Sequence, residues 1–424
     1  MKKLLMITAL ILTAALVFAG GDKDKGGAAQ GGGTVTINVP NWDTANMPYV
    51  PKLIEAFQAK YPNIKVEIMD IPSADYNQKL TVMLNGGSDI DAFWIKEADT
   101  TKAFYNRGQL ADLTPYIQKD GVNLADFNGL ASNFTFDGKT VGLPVRTDYY
   151  IMYYNKDIFD KAGVPYPSND MTWDEWEQLA KRVTSGSGNN KVYGGFLHTW
   201  QACVENWAVQ DGKNTILATD YSFFKPYYEM ALRMQDAGTI WDFGALKTAG
   251  IHYSSAFLQG NIATMPMGTW YIYTIIDKIN KGESNVRWGI SVIPHPKGVP
   301  AGWTVGSTTP MAINNASKKK DAAWEFVKFV SGPEGAKIYA DYGSFPARSN
   351  AEVINKITNI AGMPQGAADA LKVVNIALDR PVADKVGEVN QMLGEEHSLI
   401  MLKQVTIDKG LSNMAQRSKQ IQGK

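Results

Sequence analysis

Three short patterns near the start of the chain restrict its fold more than any other feature. Val35, Ile37 and Val39 alternate along a run that ends at Pro40-Asn41-Trp42, the period of a strand. Val50, Leu53, Ile54 and Phe57 then recur at i, i+3, i+4 and i+7, the apolar stripe of a helix, and Tyr61-Pro62-Asn63 stops it. Ile64, Val66 and Ile68 alternate again. A strand, a helix and a strand at this spacing form a βαβ unit, which requires a parallel pair. In open α/β sheets, ligands bind beyond the carboxyl ends of the strands. Asn41, Trp42 and Asp43 stand at such an end.

The same mixture continues. Ala92 to Ile95 reads as a strand ending near Lys96 and Glu97, Thr100 to Gly108 as a helix, and Leu110 to Leu113 as a turn back to the surface. Thr172-Trp173-Asp174-Glu175 is a capping box, with Leu179 and Val183 continuing the helix's apolar face. Ser185 to Asn190 contains two glycines but lacks the third of a dinucleotide fingerprint, and reads as a loop. Lys319 to Val330 is a helix with Ala323, Phe326, Val327 and Val330 inward, and Pro333 suits the first turn of the next. No internal repeat is visible. A chain of 424 residues exceeds one ordinary core and suffices for two lobes.

Charge and cysteine content exclude several classes. Lys plus Arg and Asp plus Glu balance at 42 each, so nothing points to nucleic acid or an anionic membrane surface. Cys203 is the only cysteine and reads as a small buried hydrophobe, without a disulfide or thiolate metal cluster. His198, His252, His295 and His397 lack ligand spacing, and no metal or other cofactor is expected. Glu395-Glu396-His397 reads as charge on a helix surface. Met1-Lys2-Lys3, the apolar run Leu4 to Phe18 and Val17-Phe18-Ala19 make the pattern of a signal peptide over 1–19, with cleavage after Ala19. Residues 20–33 are a Gly-rich tether. Gly20 and Gly21 stand where a lipidated cysteine would lie, so release into the periplasm or another extracytoplasmic space is expected rather than anchoring.

Several stretches, in order, resemble the family of bacterial extracellular solute-binding proteins that includes maltose-binding protein. They are Gly142-Leu143-Pro144, Tyr153 to Phe159, Ala162-Gly163 and the capping box at Thr172. After these come Phe257 to Ala263, Gly268-Thr269-Trp270, Ala323 to Phe326 and Phe345-Pro346-Ala347-Arg348. The resemblance implies an α/β periplasmic-binding-protein fold, with a ligand cleft between two lobes joined by crossing segments. The crossings are expected near Val145–Asp148, near Thr304–Ser307 and after Arg348. Residues 34–146 with 307–350 would form one lobe, and 147–306 with 351–424 the other. It further implies a monomer that captures a sugar or oligosaccharide by hinge closure and delivers it to the permease of an ABC transporter. The chain has no Walker loop, in keeping with an energy source elsewhere.

A sugar offers C–H faces to aromatic rings and a hydroxyl rim to charged or amide groups. Trp270, in the Gly-x-Trp motif that lines the cleft of the family, is the leading candidate, with Trp42, Trp200 and Trp303 beside it. Trp173, Trp176 and Trp324 lie on helices and read as packing. Asp43, Glu97, Asp148 and Arg348 lie near strand ends or crossings; an ordinary surface charge is the competing reading for each. Tyr149 follows the first crossing and is a candidate, and its neighbour Tyr150 must point the opposite way if the segment is a strand. Alternatives are a glycerol phosphate, a polyamine or ferric iron in the same fold, the last suggested by the pairs Tyr149-Tyr150 and Tyr227-Tyr228. A secreted carbohydrate-active enzyme would need two carboxylates at catalytic distance, and a scaffold would bind no solute. Neither a Gly-x-Ser-x-Gly elbow nor a His-Glu-x-x-His motif is present.

Overall fold

The opening βαβ unit forms as the pattern requires. In the computed structural model, which describes residues 33–424 except Ser88, Asn128 and Val374, β1 (Val35–Trp42) and β2 (Ile64–Ile71) pair in parallel from Val35 opposite Ile64 to Trp42 opposite Ile71. The helix between them, α1 (Tyr49–Lys60), buries Val50, Leu53 and Phe57 against them. α2 (Tyr76–Asn85) leads to β3 (Ala92–Trp94), which is tied to β1 through Asn38 and Asp91. α3 (Thr100–Asn106) follows. The leader and nearly all of the tether fall outside the described residues.

Two long strands organise the rest. Leu143–Asn155 pairs antiparallel with Trp303–Ile313 along its first half, with a bulge between Pro144 and Arg146. Along its second half it exchanges that partner for Thr264–Gly268 on one edge and Trp288–Ser291 on the other. One strand therefore belongs to two sheets. Trp303–Ile313 does likewise, pairing with β3 at its far end and with Asn375–Leu378 at its near end. The apolar side chains segregate accordingly. One core takes residues from Ile37 to Val145 and from Met311 to Ala347. Two further clusters take Tyr149 to Val305 and helices from Ile357 onward, while Ala340 and Phe345 join one of them. The architecture is mixed α/β, with two long strands shared between the sheets.

Two expectations need correction. Leu110, Ala111 and Leu113 do not turn to the surface; all are buried, because the segment bridges to Asn314 and its N–H groups donate to Ile313 and Thr140. A third segment, Phe345–Ala347, runs alongside the long strand and exchanges hydrogen bonds with Val145 and Thr147 just ahead of Arg348. Glu396 and His397 are not surface charges: the helix Val386–Met401 turns both inward, where Glu396 takes Arg417 and Asn413, and His397 packs on Tyr228 and Phe243. The capping box forms in full, and Trp173, Trp176, Trp324 and Cys203 are core residues. Among the described residues no helix is long and apolar enough to cross a membrane.

Candidate functional site

Two walls face each other beside the strand exchange. The first is made of loops at the carboxyl ends of β1 and β3. Asp43 follows β1 at φ 43°, a left-handed conformation that Asp tolerates better than most residues. Its Oδ1 accepts from the Ser73 N–H at 2.8 Å, while the Ser73 carbonyl accepts from Lys96 Nζ at 2.8 Å. Ser73, two residues after β2, thus ties the two strand-end loops together. Glu97 is half-buried, and Asp99 is buried at the head of α3.

The second wall is aromatic. Trp200 lies 4.4 Å from His198, 5.6 Å from Tyr253 and 6.5 Å from Trp270, centroid to centroid. Trp270 stands edge-on to Tyr150 at 5.5 Å, and Tyr150 edge-on to Trp207 at 5.3 Å. Such tilted and edge-on pairs suit the ring quadrupoles. The Gly-x-Trp motif has a steric basis here. The Trp270 ring folds back over Gly268, where a Cβ would stand 2.0 Å from a ring carbon. Only glycine lets the ring lie there. Burial lowers the His198 pKa to about 4 and also lowers that of His252, so both rings are neutral near pH 7.

Charge connects the walls. Asp43 of the first holds up the pKa of His252 on the second against burial. Glu97 and Asp99 sense Arg380 and Asp379, at the carboxyl end of the strand Asn375–Leu378. Beneath them lies a buried pair: Arg146 Nε is 2.8 Å from Asp148 Oδ2, Arg146 Nη1 donates to the Tyr49 hydroxyl at 2.6 Å, and Thr269 donates to Asp148 at 3.1 Å. Asp148 thus links the residue before Trp270 to a side chain of the first core.

The candidates read from sequence separate on this geometry. Asp43 and Glu97 lie on the first wall, Trp200 and Trp270 on the second, and Asp148 at their base. Tyr149 does not face the aromatic wall. It is 5% exposed, packs on Phe345 and uses its hydroxyl on the Leu371 carbonyl; strand alternation gives Tyr150 that position instead. Arg348 is held elsewhere, 2.9 Å from Asp126 and over the Phe127 ring, on a groove of about 670 Å³ that shares no residue with the aromatic wall. Trp42 is 7% exposed, tilted against Tyr76 above a cavity of about 10 Å³, far too small for a sugar. Trp303 is half-buried beside Gly212 and joins no ring pair among the described residues. Sequence reasoning missed Tyr253, Asp99, Asp379 and Arg380. Asp379-Arg380 follows a strand end just as Trp42-Asp43 does, and that signal could have found them.

Aromatic rings on one side and ionised groups on the other suit the capture of a small solute. The model of the family described as bacterial extracellular solute-binding protein matches residues 41–337, and the chain belongs to that family. A sugar transporter from Rhizobium etli, solved in an open conformation, is 43% identical with a TM-score of 0.80, covering 91% of this chain and 99% of that one. An ABC substrate-binding protein of Listeria monocytogenes in complex with cycloalternan is 25% identical with a TM-score of 0.81, covering 92% and 99%. The arabinooligosaccharide-binding protein of Bacillus subtilis is 24% identical over 370 residues, 82% of this chain and 81% of that protein.

Proposed function

We propose that this protein captures a sugar or oligosaccharide outside the cytoplasm and delivers it, unaltered, to the permease of an ABC importer. The observation that carries the reading is the row Trp200, Tyr253, Trp270 and Tyr150 opposite Asp43, Glu97 and Asp99. Rings of this kind stack on sugar faces, and ionised groups bind the hydroxyl rim more strongly than neutral ones. What the relatives bind supports the same class of ligand. The site consists of Asp43, Glu97, Asp99, Asp148, Tyr150, Trp200, Tyr253 and Trp270, with Trp42 and Trp303 as outer candidates. The ferric reading is disfavoured because each tyrosine pair is split: the Tyr149 hydroxyl is used on Leu371 and the Tyr228 hydroxyl on Glu205.

Closure follows from the strand exchange. Residues 34–146 with 307–350 move against 147–306 with 351–424, bending where Leu143–Asn155 changes partners. A ligand touching both walls favours the closed state, since only differential affinity shifts such an equilibrium. The test is calorimetry and thermal shift on protein refolded free of carried-over solute. The panel holds mono-, di- and oligosaccharides, a polyamine and ferric citrate. A sugar at 100 times its dissociation constant adds about 2.7 kcal/mol to the bound state, and chromatography of the mixture recovers it unchanged. A response to the polyamine or ferric citrate alone overturns the ligand class; cleavage of the bound sugar overturns the binding role.

A further inference from the structure

Asp99 is the least satisfied group between the walls. It is 5% exposed, its side chain caps no helix, and its Oδ1 is buried without a hydrogen-bond partner. A buried carboxylate without donors is unfavourable, and burial pushes its pKa up to about 6. Arg380 stands opposite. Its Nη1 donates to Asp379 at 2.7 Å and its Nε to Asn390 at 2.8 Å, which leaves Nη2 without a partner among the described residues. Asp99 and Arg380 attract each other but form no ion pair. Glu97 and Asp379 bear on both. Across the cleft, Asp43, Glu97, Asp99 and Asp379 outnumber Lys96 and Arg380, and Lys96 already donates to Ser73.

We propose that Asp99 and Arg380 together read two neighbouring hydroxyls of the ligand, and that the surrounding carboxylates restrict the cleft to uncharged or cationic saccharides. The inference rests on the sugar reading above. A hydroxyl both donates and accepts, so one can give its proton to Asp99 while its neighbour accepts from Arg380 Nη2. Each group then gains the charged hydrogen bond it lacks. Where a phosphate or carboxylate group replaces one of these hydroxyls, it offers only acceptors, which suits Arg380 alone and sets a negative charge beside Glu97, Asp99 and Asp379. Repulsion of the wrong ligand is as effective a source of selectivity as attraction of the right one.

The experiment titrates the refolded full chain with maltotriose, lactose, mannobiose and arabinotriose as neutral probes. Glucosamine is the cationic probe, and digalacturonate and sn-glycerol 3-phosphate are the anionic ones. The expected result is binding of at least one neutral probe and none of the anionic ones. Asp99→Asn, which keeps the shape, weakens the neutral probe by about tenfold to a hundredfold. Its melting temperature without sugar stays level or rises, which shows that it is folded. Arg380→Lys, which keeps the charge but loses the fork, weakens the same probe. The proposal is overturned if Asp99→Asn binds within about twofold of the parent, or if an anionic probe binds as tightly as the best neutral one. If no saccharide of either charge binds the parent, the sugar reading itself falls and this inference falls with it.

Discussion

On the aromatic wall, Trp200, Trp270, Tyr253 and Tyr150 rest on one another and on Gly268, and the arrangement is complete before any solute arrives. On the opposite wall, Asp43 and Lys96 are satisfied through Ser73, yet Asp99 is left without a donor. The aromatic wall is pre-organised, so a sugar face placed there loses little to reordering. The carboxylate wall is electrostatically incomplete, so it rewards a solute that brings the missing hydrogen bonds and penalises one that does not. Affinity is expected to come mainly from the first wall and selectivity mainly from the second.

The largest effect is expected where the two regions meet. Arg146→Ala leaves Asp148 buried beside Thr269 without its cation. The loss should be about 3–5 kcal/mol in urea unfolding; a loss under about 1 kcal/mol would mean that this pair does not hold the junction together. Next come the two tryptophans. Trp270→Ala removes a half-buried ring packed between two cores and should cost about 2–4 kcal/mol. Trp200, 38% exposed, should cost under about 1 kcal/mol as Trp200→Ala. Both should weaken the bound sugar by about tenfold or more in calorimetry. Equal stability losses from the two would erase the distinction between platform and core.

A smaller, slower signature separates the walls by pH. His198 has a folded pKa depressed by burial to about 4 from 6.5, so its contribution to stability is present above 6.5 and lost as pH falls through about 4. Asp99 has a folded pKa raised by burial to about 6 from 3.8, so its contribution is present below 3.8 and lost as pH rises through about 6. The two walls therefore tilt the stability profile in opposite directions between about pH 4 and 6.5. Relative to the parent, Asp99→Asn should gain stability as pH rises across that window and His198→Phe should lose it, each by at most about 1.4 kcal/mol per pH unit. Parallel curves would remove the electrostatic contrast. Smallest of all, Asp43→Asn keeps a side chain that accepts from Ser73 and tolerates the left-handed backbone, and should change unfolding by less than about 0.5 kcal/mol. A loss above about 1 kcal/mol would show that the charge of Asp43 supports its loop.

The elements with a clean period were readable in advance. The βαβ unit, the capped helix at Thr172 and the inward face of Lys320–Ser331 all follow from spacing alone. Of the residues proposed for the site, Asp43 and Glu97 come from one rule, the carboxyl end of a strand, and Trp270 from its motif. The same rule applied at Leu378 would have added Asp379 and Arg380. Arg348 and Tyr149 were misplaced for a different reason. Each lies within a few residues of a crossing, and there the face of the strand decides whether a side chain meets the cleft or the core. A single residue of register reverses that choice.

Local periodicity and composition determined the mixed α/β class, the first parallel pair and the burial of Trp173, Trp176 and Cys203, because each depends on residues close in sequence. The tertiary structure alone decided that Tyr150 rather than Tyr149 joins Trp270, that Gly268 makes room for that ring, and that Asp99 meets Arg380 from a segment 281 positions later in the chain. These depend on which partner Leu143–Asn155 chooses along each half of its length. That choice is set by packing between residues distant in sequence, which no local pattern contains.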